Sequence, residues 1–443
     1  MFNYNEAVKK HRDLILKTQA TIWANPETGY REVKTTKFME DTFEALGYSV
    51  TRAGDIPGFY TVIDTGKEGP EILILSELDS LILSDHPDAD PVTGAVHCCG
   101  HNAQCGAMVG IAAALKEPGA LDELCGRIRL AVVPAEELIE IEYRTGLKEQ
   151  GVIHYFGGKP EFLYRGYFDG VDIAYMLHTA GGDEFGVDDG SVGCVAKRIT
   201  YKGVSAHAGA TPSLGVNALY AATLGLSAIN AIRETFREPD IIRVHPIITK
   251  GGGAVNAIPD EVIIESYVRS SNYEAMLDAN KRVNRALIGA ALSLGANIDI
   301  QDTPGYGPSH NAPGMISLME DAAKAIPEIP FKKMSGIGSG STDMGDLSAV
   351  MPTIHGYAPG SVGKGHGADY YIADPDKACV ASAQLQLQML ALLLKDGGSR
   401  AKEILANFKP RFASKEEYFA FIEAFSRKGD CIEYIDGKAI AAL

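Results

Sequence analysis

A chain of 443 residues, 46% of them hydrophobic, is too long for one compact core and calls for two domains or one domain carrying an insertion. Its formal net charge of -16 argues against nucleic-acid and anionic-membrane partners, which it would repel, while a small substrate, even an anionic one, stays compatible because a local basic site can override the mean field. The N-terminus shows no cationic stretch leading into an apolar one, no uninterrupted apolar run reaches spanning length, and the 7 cysteines are an odd number, so the expectation is a soluble cytoplasmic protein with reduced thiols.

Through the first two hundred residues, strand-like apolar runs alternate with helical patterns, which predicts an α/β sheet. The clearest strands are 71–75, 128–133 and 171–177, and their near-continuous hydrophobicity marks them as central strands buried on both faces. Each runs into polar groups: Glu77 and Asp79 after the first, Glu136-Glu137 after the second, His178 after the third. In open α/β sheets the ligand site lies beyond the carboxyl ends of the strands, so three strands deliver metal-type groups to one edge. Between the first two lies His97-Cys98-Cys99-Gly100-His101-Asn102, where a single glycine separates Cys99 from His101 and a tight loop can aim both at one ion. Thiolate, imidazole and carboxylate together suit zinc, manganese, cobalt or nickel better than magnesium or calcium. The adjacent pair Cys98-Cys99 would form a strained disulfide and is not read as a redox pair.

From about residue 190 to 301 the texture changes. Val195, Lys197, Ile199 and Tyr201 alternate as in a strand, and apolar positions from Val216 to Ile232 recur three or four apart as in a helix. Strands at 241–249 and 261–269, a helix around Met276 to Leu294 and a strand at 297–300 complete a βαββαβ unit, the ferredoxin-like split arrangement. The sheet-and-helix pattern then resumes, with a helix at 315–325, a strand at 353–357 and a helix at 378–394. The expected organisation is a catalytic domain in two parts, 1–189 and 305–443, around an inserted domain at 190–304, with an amphipathic, charged extension after Ser399 that carries no evident chemistry.

Ser76-Glu77-Leu78-Asp79-Ser80-Leu81, His97 to Asn102, Pro134-Ala135-Glu136-Glu137, Leu177-His178 and Gly203 to Pro212 together resemble the metallopeptidase family of aminoacylases, carboxypeptidase G and auxin-conjugate amidohydrolases. The Cys-Gly-His-Asn form and Gly340-Ser341-Thr342-Asp343-Met344-Gly345-Asp346 are similar to the aminobenzoyl-glutamate hydrolase and dipeptidase branch; better-known members carry Asp where this chain has Asn102. The resemblance implies a zinc-peptidase-like mixed sheet flanked by helices, with the inserted unit serving as lid and dimerisation domain.

The resemblance also implies roles. Cys99 matches a bridging ligand of one or two divalent ions, and His101, Glu137, His178 and His366 match the remaining ligands. Glu136 matches the general base that takes the proton of a metal-activated water, and Asp79 matches an aspartate that orients a ligand. His207 matches a donor to the oxyanion of the tetrahedral intermediate. Asn256 and Arg269 match residues holding the substrate's carboxylate, a task suited to the guanidinium fork. The expected activity is hydrolysis of the amide bond of an N-acyl amino acid, an aminobenzoyl-glutamate-like conjugate or a dipeptide, by a homodimer joined through the inserted domain; whether His207 acts in cis or in trans stays open. Two other readings remain: a hydrolase with Cys99 as nucleophile, and a non-catalytic binding protein on the same fold, against which the presence of Glu136 speaks. His11, His86, His154, His245, His310 and His355 are expected to be structural or solvated, and His97 to touch the site without binding metal.

Overall fold

The computed structural model describes residues 2–442, which divide into two compact units. The larger comprises Met1–Gly190, Ser309–Gly338 and Thr342–Lys415; the smaller comprises Ser191–Pro308, Ser339–Ser341 and Glu416–Leu443. Sequence pattern places the chain after Glu416 in the larger domain; in the structure it belongs to the smaller unit.

The larger unit is built on an eight-stranded mixed sheet in the order Thr51–Arg52, Phe59–Asp64, Arg127–Val133, Glu71–Glu77, Ile173–Ala180, Thr353–Pro359, Phe185–Val187, Phe331–Lys333. The four strands from Arg127–Val133 to Thr353–Pro359 are mutually parallel, so their carboxyl ends share one edge. Every residue of Glu71–Glu77 is buried, as its unbroken apolar run requires. The helix His101–Leu115 is also buried along its whole length. Its small residues make this feasible: a Cβ on Gly110 would come within 2.6 Å of Ile15 Cδ1 in the neighbouring helix Arg12–Trp23. The apolar segment Asp376–Leu394 satisfies the length and hydropathy of a membrane span, but 83% of its most apolar 18-residue stretch is buried, so its apolarity is that of a core helix.

The smaller unit is an antiparallel sheet ordered Arg243–Val244, Glu261–Ser270, Gly193–Lys202, Asn297–Tyr306, with Ile247–Lys250 also pairing Glu261–Ser270. With the helices Ala218–Ile232 and Tyr273–Ser293 between strands, this is the βαββαβ order. Strict alternation of buried and half-buried residues in Glu261–Ser270 shows one face packed under the helices, which share a core with Ile199, Tyr201, Val262 and Ile264. Asn217 and Asn272 cap the two helices, accepting from Leu219 and Tyr220 N–H and from Ala275 N–H. The last strand runs well past residue 300, and the C-terminal tail lies along it: Asp302 and Arg427 exchange backbone bonds of 2.9 and 3.0 Å, and Cys431 N–H donates to Ile298 O at 2.8 Å. One sheet edge is therefore covered by the chain itself, which answers the usual liability of an exposed edge.

Candidate metal centre

The site grows from the carboxyl ends of the parallel strands of the larger unit. After Glu71–Glu77 the chain presents Asp79, fully buried, whose backbone O and Oδ1 lie 2.9 and 3.1 Å from His101 Nδ1. That pairing puts a proton on His101 Nδ1, so the neutral ring carries its lone pair outward on Nε2. Asp79 Oδ2 accepts the Glu137 N–H at 2.8 Å, so one carboxylate fixes two of the candidate groups. Burial opposes the charge on Asp79, but the bond and charge of His101, the Glu137 N–H and Arg144 together outweigh it and hold the carboxyl below its usual range.

Between Cys99 and His101 the backbone turns through Gly100 at φ 94°, immediately before the helix His101–Leu115. A Cβ there would strike Thr179 Oγ1 and the Tyr370 hydroxyl, which are bonded to each other and both reach Cys99 O, so only glycine fits. The neighbouring loops are strained at corresponding points: Ala135, just before the Glu136-Glu137 pair, has φ 57°, and His366 has φ 63°. Ala135 is held by its N–H on Glu32 Oε1 at 2.7 Å, and buried Arg144 donates to Glu137 O and to Phe156 O. His366 is held by its N–H on Cys98 O at 2.9 Å.

These constraints bring together the ligand atoms of Cys99, His101 and His178, and those of Cys99, Glu137 and His366, each set within 4.8 Å. Cys99 belongs to both. Cys99 Sγ lies 3.2 Å from His178 Nε2, and Glu137 Oε1 lies 3.3 Å from His366 Nε2. His178 is oriented by its Nδ1 against Thr179 O at 2.8 Å. Among the described residues, His101 Nε2 and Glu137 Oε1 are buried without a hydrogen bond; their approaches to Glu77 Oε2 at 3.1 Å and to His366 Nε2 at 3.3 Å are ion-pair contacts without hydrogen-bond geometry. Buried polar atoms are normally satisfied, so two orphaned lone pairs in a thiol–imidazole–carboxylate set fit divalent ions. A cleft of about 350 Å³ opens onto Cys99, His178 and His366, also lined by Tyr357, Ser361 and Tyr370. A larger cavity of about 740 Å³, beside Arg400 and Phe408, contains none of these groups, so the candidate ligands lie at the smaller one.

Glu136 is 8% exposed, with Oε2 3.9 Å from His101 Nε2. Burial, then Glu77 and Glu137, push its carboxyl well above the usual range. Burial and Glu137 likewise push the Cys99 thiol up, the opposite of an activated nucleophile. His97 is buried with neither ring nitrogen hydrogen-bonded among the described residues and lies outside both ligand sets; burial, with His101 adding, lowers it to about 3. His355, expected to be structural, packs on His178 with ring centroids 5.7 Å apart.

In the smaller unit, His207 and Asn256 lie on adjoining segments, where Ala208 N–H donates to Asn256 O at 2.9 Å. Both are exposed. His207 Nδ1 accepts from Gly209 and Ala210 N–H at 3.2 and 3.0 Å, so its ring proton is on Nε2 and available as a donor. Arg269 is half-buried at the end of Glu261–Ser270, and its Nε has no partner among the described residues.

Residues that motif reading passes over surround the cluster. Lys159, fully buried, has its ammonium on Glu77 Oε1 and Asp343 Oδ1. Glu32, Arg144 and Tyr370 act through backbone atoms, which leave no side-chain pattern to read.

Parallel strands that converge on two candidate ligand sets sharing Cys99, with Glu136 alongside, make an arrangement suited to metal-dependent hydrolysis. Residues 74–391 match Peptidase family M20/M25/M40, and the chain belongs to that family. It is 28% identical over 360 residues to the Xaa-Arg dipeptidase of Mus musculus, covering 76% of this chain and 74% of that one. It is 27% identical over 313 residues to a subunit of the p-aminobenzoyl-glutamate hydrolase of Escherichia coli, covering 67% and 59%. Its fold is that of a Bacillus subtilis dinuclear metal-binding peptidase of the M20 family, with a TM-score of 0.65 at 20% identity over 87% of this chain and 99% of the other.

Proposed function

We propose that this chain cleaves the amide bond of an N-acyl amino acid, an aminobenzoyl-glutamate-like conjugate or a dipeptide, with a free carboxylate beside the scissile bond. The observation that carries this reading is the pair of ligand sets sharing Cys99, with Glu136 beside them. Cys99, His101 and His178 would hold one divalent ion, and Cys99, Glu137 and His366 a second; zinc, manganese, cobalt and nickel all suit these donors. When bound, such ions supply Lewis-acid polarisation and lower the pKa of water. Glu136 takes the proton of the attacking water and returns it to the leaving amine. Asp79 keeps His101 and the Glu137 main chain in place. His207 donates its Nε2–H to the oxyanion, and Asn256 and Arg269 receive the substrate's carboxylate.

The names of the dipeptidase and aminobenzoyl-glutamate hydrolase relatives support this substrate class. All 7 cysteines are free, in keeping with a reducing cytoplasm. The smaller unit would act as lid and dimerisation domain: Ile247 on its open edge and Tyr220 on its first helix are 61% and 66% exposed, and a homodimer is directly readable by analytical ultracentrifugation. The 3.2 Å contact between Cys99 and His178 favours one other reading, a cysteine nucleophile with a histidine base.

Glu136→Gln separates the two. On the metal reading it keeps the ions and loses about a hundredfold to ten-thousandfold in turnover, because the amide cannot accept the water's proton. Metal content by mass spectrometry and hydrolysis of N-acyl amino acids, aminobenzoyl-glutamate and dipeptides measure both. Near-normal turnover at unchanged metal content removes Glu136 from the mechanism, and a wild-type enzyme that is metal-free and indifferent to chelators removes the metal reading.

A further inference from the structure

The site contains a third set with ligand spacing. Carboxylate oxygens of Glu77 and Glu136 and His101 Nε2 lie within 4.8 Å of one another, and all three residues are buried. Glu77 Oε2 is 3.1 Å from His101 Nε2, a separation that two donors on one ion would have. An ion in this set would be ruinous for the hydrolysis proposed above, on which this inference rests. It would take the lone pairs of Glu136 and compete for the single outward nitrogen of His101.

Glu77 is already neutralised from its other side. Lys159 has no exposed side-chain surface, and its ammonium sits on Glu77 Oε1 and Asp343 Oδ1. Asp343 Oδ2 also accepts the Lys159 N–H at 2.9 Å, and Gln104 Nε2 donates to Glu77 Oε2 at 2.8 Å. The ammonium cannot swing away without leaving two buried carboxylates uncompensated, which is strongly unfavourable. A fixed positive charge one carboxylate away repels a second cation, and in a water-poor interior that repulsion is only weakly screened.

We propose that Lys159 is a built-in cation that denies a third divalent ion the Glu77–His101–Glu136 set and so keeps Glu136 free to act as a base. Lys159 is thus a positioning residue acting through Glu77. A lysine with only a structural role would, on removal, lower metal binding or stability. A lysine that guards the set would, on removal, raise metal binding.

The test compares wild type, Lys159→Met and Lys159→Arg, each stripped and titrated with zinc, with tightly bound metal counted by mass spectrometry and hydrolysis followed across the titration. Lys159→Met is expected to take up about one ion per chain more than wild type. Its activity should rise and then fall about a hundredfold or more as zinc increases, the range expected when a general base is captured. Lys159→Arg keeps the charge and should follow wild type, and adding Glu77→Gln to Lys159→Met should abolish the extra ion. If Lys159→Met does not fold, Lys159→Met with Asp343→Asn removes one charge of each sign, leaves Glu77 unguarded, and is read in the same way. Metal content equal to or below wild type, with no inhibitory phase, overturns the proposal while leaving the two-ion hydrolase intact. Absence of metal from the wild type would instead overturn the hydrolase reading.

Discussion

Each unit buries one lysine completely, and the two environments differ in kind. In the smaller unit, Lys197 Nζ reaches Asn280 Oδ1, Asn284 Oδ1 and Asp302 Oδ1, while both asparagine amides donate to Asp302 Oδ2 at 2.9 and 2.7 Å. That network closes on itself, and burial dominates it, pushing the Lys197 pKa down. In the larger unit, burial also opposes the charge on Lys159, but Asp343 and Glu77 outweigh it and push the pKa up. The network around Lys159 does not close: it runs through Glu77 to His101 Nε2, an atom without a hydrogen bond among the described residues. A satisfied buried network specifies a fold; one that ends in orphaned lone pairs marks a place for something else.

The sharpest way to break this comparison is to remove groups at the open end. Cys99→Ala and His178→Ala each delete a donor from a set that has no use for it except to hold an ion, so both should lower metal occupancy and, with it, turnover by orders of magnitude. Folding should be nearly untouched, since Cys99 and His178 face a cleft. Full metal content in Cys99→Ala with activity alone lost would make the nucleophilic cysteine the better account.

The closed end should respond in the opposite way. Asp302→Ala leaves the Lys197 ammonium buried without its counter-charge, which costs about 3–5 kcal/mol of stability. Chemical denaturation should register that loss in the smaller unit's transition, while metal content per folded chain stays at the wild-type value. A stable Asp302→Ala protein with reduced metal content would mean that the two networks are not independent.

The contrast also explains what the sequence can disclose. Strand ends are legible because unbroken apolar runs stop at Glu77, Glu136 and His178, and parallel pairing then brings those ends together. Gly100 is legible as the spacer between two donors. Lys159 is not: its partner Asp343 lies 184 residues away, and nothing local distinguishes a lysine near a helix start from a solvated one. Glu32 and Arg144 escape notice because they hold backbone atoms of Ala135 and Glu137. The tail after Glu416 is misplaced by pattern alone because it attaches through backbone pairing with Ile298 and Asp302 and through scattered side chains such as Ile432 and Tyr418, which local periodicity does not assign to either unit.

The gentlest test concerns Arg269. Its register partner on the adjoining strand is Arg243, and like charges directly opposite one another destabilise a sheet. Its guanidinium carbon lies 5.5 Å from the Tyr267 ring centroid, and its Nε has no partner among the described residues. The side chain therefore contributes little to its own fold, and a carboxylate ligand would supply the partner it lacks. Arg269→Ala should leave thermal stability unchanged or slightly raised. Hydrogen bonds to charged groups contribute about 1.5–3 kcal/mol, so KM for substrates with a free carboxylate should rise about tenfold to a hundredfold while kcat changes little. The corresponding carboxamides present no charge to pair and should be hydrolysed equally well by wild type and variant. Arg269→Lys should recover only part of the loss, because an ammonium cannot fork onto two oxygens. Equal damage to acids and carboxamides, or a fall in stability, would make Arg269 a structural residue and leave the substrate's carboxylate to another group.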